Sequence, residues 1–234
     1  MTDLESSENL INRYQTVKKD IANACSDTDR NPDSVALLAV SKKHSIESIQ
    51  SIYGLGQRAF GENYVQEGVD KVTALSHLEI KWHFIGPIQS NKSRLVAEHF
   101  DWVHTIDRNK IATRLNQQRL ENQPPLNVLI QINISDQDSK SGIQLNELES
   151  LAKSIHSMEN LTLRGLMCIP AKSNIKTLEN DFTQMQQAFS ALKSQYETVD
   201  TLSMGMSGDL PSAIKCGSTL VRIGTAIFGE RTNV

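Results

Sequence analysis

The chain of 234 residues carries 24 Lys and Arg against 27 Asp and Glu, a formal charge of −3 at pH 7. That balance leaves no basic stripe of the kind that marks a nucleic-acid scaffold; pairs such as Lys18-Lys19 and Lys42-Lys43 are too short to form one. With 38 % hydrophobic and 22 % charged residues, the composition is that of an ordinary globular protein long enough to bury a core. No apolar stretch approaches the roughly 20 residues that span a bilayer. Residues 1–12 are polar and lack the apolar segment of a signal peptide, so the expected location is the cytoplasm, with no membrane partner. Cys25, Cys168 and Cys216 have neither metal nor redox spacing and read as reduced thiols.

In chain order, the first element is an amphipathic helix within about the first 30 residues, because Leu10, Tyr14, Val17 and Ile21 recur at steps of three and four. Asn31-Pro32-Asp33 stops it. Eight short apolar runs of strand character follow, at 35–41, 58–61, 81–86, 102–106, 127–134, 161–169, 198–204 and 219–224. Between them lie helical patterns at 45–53, 64–75, 91–99, 109–120, 145–156, 177–196 and 210–215. Strand-to-strand spacing is roughly 20–35 residues, the size of one βα unit. Near-continuous apolar strands belong to a parallel sheet covered on both faces, and eight such units close a barrel. The expected fold is therefore α/β: one (β/α)8 TIM-type barrel with an extra N-terminal helix, filling 1–234 as a single domain. An open doubly wound sheet is the competing arrangement. No Pro/Gly/Ser-rich linker divides the chain, and Gln123-Pro124-Pro125 reads as a helix stop.

In such a barrel, functional groups gather where strands end. The first run ends in Ser41-Lys42. Position 42 shares the parity of Ala36, Leu38 and Val40, so on a strand it faces the same way as they do. If that face is the barrel interior, a desolvated amine there has a lowered pKa and attacks aldehydes. The plain alternative is a solvated lysine, or one paired with Glu62. After the seventh and eighth runs, Ser207-Gly208-Asp209 and Gly224-Thr225 offer hydroxyls and backbone N–H groups suited to a phosphate. Taken singly they are ordinary turns. Closure of the barrel sets the eighth strand beside the first, so a phosphate held there would lie next to Lys42, and the matching ligand is a phosphorylated aldehyde. Arg222 shares parity with Leu220 and Gly224; it either points inward or pairs with an acid such as Asp107 or Glu62. His83, between Trp82 and Phe84, reads as a packed strand histidine rather than a base. Lys140, in the polar segment 136–142, is the second candidate amine.

Several of these segments resemble a known family. Ala39-Val40-Ser41-Lys42, Phe60-Gly61-Glu62-Asn63-Tyr64-Val65-Gln66-Glu67, Trp82-His83-Phe84-Ile85-Gly86-Pro87-Ile88-Gln89-Ser90-Asn91-Lys92, Gly165-Leu166-Met167, Leu202-Ser203-Met204-Gly205-Met206-Ser207 and Val221-Arg222-Ile223-Gly224-Thr225-Ala226-Ile227-Phe228-Gly229 are similar to the pyridoxal phosphate homeostasis proteins (the YggS/PROSC family). The resemblance runs from about residue 35 to residue 229. It implies a barrel like the N-terminal domain of bacterial alanine racemases, with pyridoxal 5′-phosphate (PLP) as cofactor, held as a Schiff base on Lys42. It places the phosphate at Ser207, Gly224 and Thr225, Asn63 in the ring pocket and Arg222 near the pyridine nitrogen. It also implies a PLP carrier or homeostasis factor rather than an enzyme, meeting PLP-dependent apo-enzymes at most transiently.

Racemases of the similar fold add a β-rich second domain that supplies a tyrosine base across a dimer. This sequence ends five residues past Gly229, so the expectation is a monomer without that acid/base partner. The alternative is a small PLP-dependent racemase or lyase. Lys43-His44 and Gly208 depart from the family pattern at the pocket rim.

Overall fold

Each apolar run becomes one parallel strand in the computed structural model, which describes residues 3–136 and 141–230. The strands are β1 (Ala36–Val40), β2 (Ala59–Glu62), β3 (Lys81–Phe84), β4 (Trp102–Ile106), β5 (Leu126–Ile132), β6 (Leu161–Cys168), β7 (Thr201–Ser203) and β8 (Leu220–Ile223). Neighbours in sequence pair in parallel throughout, and β8 pairs with β1, so the sheet closes into the expected barrel. The open doubly wound alternative is excluded.

The helices are α1 (Asp3–Ser26), α2 (Ile46–Gly54), α3 (Val65–Ala74), α4 (Ser93–His99), α5 (Asn109–Gln118), α6 (Leu148–His156), α7 (Ile175–Lys193), α8 (Leu210–Lys215) and α9 (Thr225–Phe228). Local chemistry starts several of them. The Ser45 hydroxyl accepts the Ser48 N–H at 3.3 Å to open α2, and Asn174 Oδ1 accepts the Thr177 N–H at 3.0 Å to open α7. The first helix stops at Ser26, earlier than the proline at 32, which instead opens a 3-10 turn with its Asn31 cap. The seventh strand is shorter than its apolar run, because Thr198 turns its hydroxyl onto the Leu163 carbonyl (2.6 Å) and Val199 closes a turn onto Tyr196. The helix α9 has no counterpart among the sequence patterns; four residues are too few to show a helical period.

Two cores result. Side chains of odd position on β1, such as Leu37 and Ala39, join the outer core between strands and helices. Those of even position, Leu38 and Val40, are buried on the inner side. Leu38 stands opposite Arg222 in the β1–β8 ladder, so Arg222 also faces inward.

Outside the β1–β8 seam, α1 buries Leu10, Tyr14, Val17 and Ile21 on one face and packs against α2, α8 and α9. Its Arg13 Nε donates to the Ile227 carbonyl of α9 at 2.8 Å. Tyr14 donates to Gln57 Oε1 at 3.2 Å, and Gln57 Nε2 in turn donates to the carbonyls of Leu37 and Ala59, both at 2.7 Å.

Because Ile21 is packed on all sides, Ile21→Ala is expected to destabilise the fold by about 2–4 kcal/mol, the cost of lost burial plus a residual cavity. Urea unfolding should show a lower midpoint with an unchanged slope.

Candidate functional site

A cavity of about 440 Å³ opens at the C-terminal ends of the strands, within the size range of small-molecule sites. Lys42, Asn63, Ser207, Arg222, Gly224 and Thr225 all line it. A groove of about 380 Å³ between α6 and α7 is lined by leucines, alanines, glutamines and Glu149 but by no cation. Lys140 lies outside the described residues.

The strand ends position each of these groups. Ser41 continues β1 by donating its N–H to the Gly61 carbonyl at 3.0 Å, which carries Lys42 to the cavity rim. Asn63 follows β2, where Gly86 lets its backbone come close: a Cβ on Gly86 would stand 2.3 Å from the Asn63 carbonyl oxygen. The Gly86 carbonyl is itself held by the Thr105 hydroxyl at 2.6 Å. Ser207 sits in a turn closed by Asp209, whose carboxylate accepts the Met206 N–H at 2.5 Å. Gly205 precedes that turn at φ +99°, in left-handed backbone. Gly224 and Thr225 lie at the junction of β8 and α9, where first-turn N–H groups have no partner within the helix. His44, beyond Lys42, stacks its ring on Phe228 of α9 with centroids 4.9 Å apart.

Glu62 and Asp107, the acids considered as partners for Lys42 or Arg222, are engaged elsewhere. Glu62 pairs with Lys71 at 2.8 Å and Asp107 with Arg108 at 2.7 Å. Arg222 is buried and donates from Nη1 to the Ser203 carbonyl and hydroxyl, both at 2.8 Å, and from Nη2 to the Cys168 carbonyl at 2.9 Å. Burial pulls its pKa down, against the opposing pull of Cys168 and Asp209. It remains a guanidinium, since arginine does not deprotonate in proteins.

A hydrogen-bonded chain continues from Arg222 through the barrel interior. The Ser203 hydroxyl lies 3.1 Å from His104 Nδ1, and His104 Nε2 lies 2.9 Å from His83 Nδ1. The direction of the chain follows from the arginine. Ser203 Oγ accepts from a group that can only donate, so its hydrogen is available to His104 Nδ1. His104 then carries its proton on Nε2 and donates to His83, an assignment made from the network. Both imidazoles are neutral. Burial lowers His83 to about 3, and burial, His83 and Arg222 together push His104 well down. His83 also stacks on Trp102, with centroids 5.1 Å apart. It is a packed histidine, as its sequence setting implied, but its contact with His104 was not visible. The only available signal was two inward positions on adjacent strands. Cys168 is raised to about 12 by burial and stays a thiol. Among the described residues, no three His, Cys, Asp or Glu side chains are grouped to hold a metal ion.

This architecture defines a class before it defines a family. Residues 19–232 match the family model described as the alanine racemase N-terminal domain. The fold is shared with an alanine racemase from Corynebacterium glutamicum at 15 % identity and TM-score 0.72, over 96 % of this chain and 61 % of that one. A relative from Haemophilus influenzae called pyridoxal phosphate homeostasis protein is 57 % identical, over 95 % of this chain and 96 % of its own. The structure of PipY from Synechococcus elongatus with PLP bound matches at 35 % identity and TM-score 0.77, over 89 % of this chain and all of that one. The chain belongs to the pyridoxal phosphate homeostasis protein family. Among the described residues no helix is long and apolar enough to cross a membrane.

The neutral histidines set a pH dependence. Above pH 6.5, His83 is uncharged folded or unfolded. Below that, the unfolded chain takes up a proton that the folded chain refuses until the pH nears 3, so stability falls as pH falls. Between pH 7.5 and pH 5, this one group is expected to remove about 2 kcal/mol. In urea unfolding, wild type should lose about 2 kcal/mol more stability than His83→Gln on going from pH 7.5 to pH 5.

Proposed function

We propose that this chain binds PLP as a Schiff base on Lys42 and serves to buffer and deliver it, without catalytic turnover. The proposed state is one barrel domain acting as a cytoplasmic monomer, with PLP-dependent apo-enzymes as transient partners. The observation that carries the reading is that Lys42 and the groups after β7 and β8 line one cavity. Family membership and the PLP-bound PipY relative support it.

The residues present fit the cofactor. PLP supplies an electrophilic aldehyde and a phosphate. Lys42 offers the amine. Ser207 and Thr225 offer hydroxyls, and the chain at Gly224 and Thr225 offers N–H groups where a helix begins. Asn63 Oδ1 is buried without a hydrogen-bond partner among the described residues, so a polar substituent of a ligand ring would satisfy it. Arg222, fixed at the cavity floor, disfavours a second cation beside it and would keep a facing ring nitrogen unprotonated. That limits the electron withdrawal on which amino-acid chemistry depends.

Purified protein mixed with PLP is expected to show a visible absorption band that Lys42→Ala abolishes. Borohydride should fix the label on the peptide containing Lys42. A Lys42→Ala protein with an unchanged band would overturn the assignment, and tight binding with nothing trapped would favour a phosphorylated ligand held without a covalent bond. Thr225→Val should weaken PLP binding by about tenfold, the worth of one good hydrogen bond to a charged group. Exchange of Cα hydrogen of L-amino acids in deuterated water at about 1 s⁻¹ or faster would replace the carrier reading with the racemase or lyase alternative.

A further inference from the structure

Lys42 and Lys43 are adjacent in the turn that follows β1, which the His44 N–H closes onto the Ser41 carbonyl at 3.1 Å. Of the two, Lys42 lines the cavity and Lys43 does not, and the corner after β1 sets that difference. A buried cluster on α3 grips that corner. Lys71, almost inaccessible to solvent, donates to three oxygens: the Ser41 carbonyl at 2.8 Å, Glu62 Oε1 at 2.8 Å and Glu67 Oε1 at 2.7 Å. Three acceptors match the three hydrogens of an ammonium group. Each acceptor bears on residues 41–43. The Ser41 carbonyl is part of the corner. Glu62 Oε1 also accepts the Ser41 hydroxyl at 2.6 Å. Glu67 Oε1 also accepts the Lys43 N–H at 2.5 Å.

Lys43 itself has φ +60°, a left-handed conformation that a lysine does not adopt unless its surroundings impose it. That turn spans Lys42 and Lys43, past the end of β1, and sends the Lys43 ammonium over the Tyr64 ring, 5.6 Å from its centroid. Glu67 and Lys71 are one helical turn apart, so α3 presents both as one rigid unit.

We propose that Lys71, with Glu67, is a positioning pair that selects Lys42 over Lys43 as the amine presented to the cavity. This rests on the reading that Lys42 takes PLP. Without the pair, the Lys43 N–H loses its acceptor, the left-handed turn relaxes, and the two lysines compete.

The test compares wild type, Lys71→Met, Glu67→Ala and Glu67→Gln. Each is loaded with PLP and reduced with borohydride, and the pyridoxyl label on each lysine is quantified by tandem mass spectrometry. Wild type is expected to carry the label on Lys42. The Lys42:Lys43 ratio should fall about tenfold in Lys71→Met and about threefold in Glu67→Ala, within the range for losing one ordinary hydrogen bond. Glu67→Gln should restore the wild-type ratio, since its amide oxygen still accepts the Lys43 N–H. General loosening of the fold would lower total labelling without this pattern of rescue. Lys71→Met strips a buried carboxylate of its cation; if it does not fold, Glu67→Ala decides alone, because Glu67 is partly exposed. A wild-type ratio in every folded variant overturns the positioning role while leaving the PLP reading intact. A wild type with no label on Lys42 overturns both.

Discussion

The pairing of β1 with β8 determines where everything at the barrel mouth can lie. Those strands come from opposite ends of the sequence, and their ladder aligns Leu38 with Arg222 and Ala39 with Ile223. Carried a few residues further, the same register brings Lys42 and the Gly224-Thr225 junction onto one cavity wall. The approach is tight: a Cβ on Gly224 would stand 3.3 Å from the Val40 carbonyl oxygen. Joining the ends of so long a chain carries a loop-closure penalty that local contacts alone do not offset. The first helix supplies part of the compensation, since its apolar face packs against α8 and α9 from outside. Arg13 holds the Ile227 carbonyl, and Arg30, just beyond the helix, holds the Ile214 carbonyl at 2.6 Å. The N-terminal segment is therefore a clamp on the seam as well as an added element.

Inside the seam the barrel departs from the aliphatic layers usual in such folds. Arg222, Ser203, His104 and His83 form one hydrogen-bonded line across the interior, drawn from β8, β7, β4 and β3. A buried cation needs its desolvation offset, and here two carbonyls and a hydroxyl do so, at about 1.5–3 kcal/mol for each bond to a charged group. With both terminal nitrogens held, Arg222 is fixed as the cavity floor. The histidines behind it are neutral because a second charge in the same dry interior would be unfavourable.

How much of this the sequence disclosed depends on the range of the interaction. The strands were visible because burial on both faces makes each an apolar run, and the turns because glycine, serine and asparagine mark them. Arg222 was located by counting parity from Leu220, which needs only the twofold alternation of a strand; Lys42 reaches the same cavity, but from the turn after β1 ends at Val40, where strand parity does not apply. The pairing of His83 with His104 is set by the β3–β4 register, where His83 aligns with Trp102. No local pattern carries that register. Lys71 was missed for a related reason. With Glu67 four residues before it, it has the spacing of a common surface ion pair, and only the placement of α3 against the end of β1 buries it.

The distribution of charge supports the proposal that the site holds PLP rather than turning over a substrate. Amino-acid chemistry on a pyridine ring is helped by a carboxylate at the ring nitrogen and by a group able to carry a proton to and from the reacting carbon. Arg222 places a permanent cation at the cavity floor, the opposite sign to that carboxylate. The titratable groups behind it are poorly suited to proton transfer: His83 and His104 are depressed by burial and bonded to each other, and Cys168 is raised to about 12. Glu62, just behind the Lys42 strand, is raised by burial against the pull of Lys71, and its Oε1 is committed to Ser41 and Lys71. On the proposed reading, the Lys42 amine, the hydroxyls of Ser207 and Thr225 and the fixed Arg222 would suit reversible capture of a phosphorylated aldehyde, and His44, the imidazole that lines the same cavity, is stacked on Phe228.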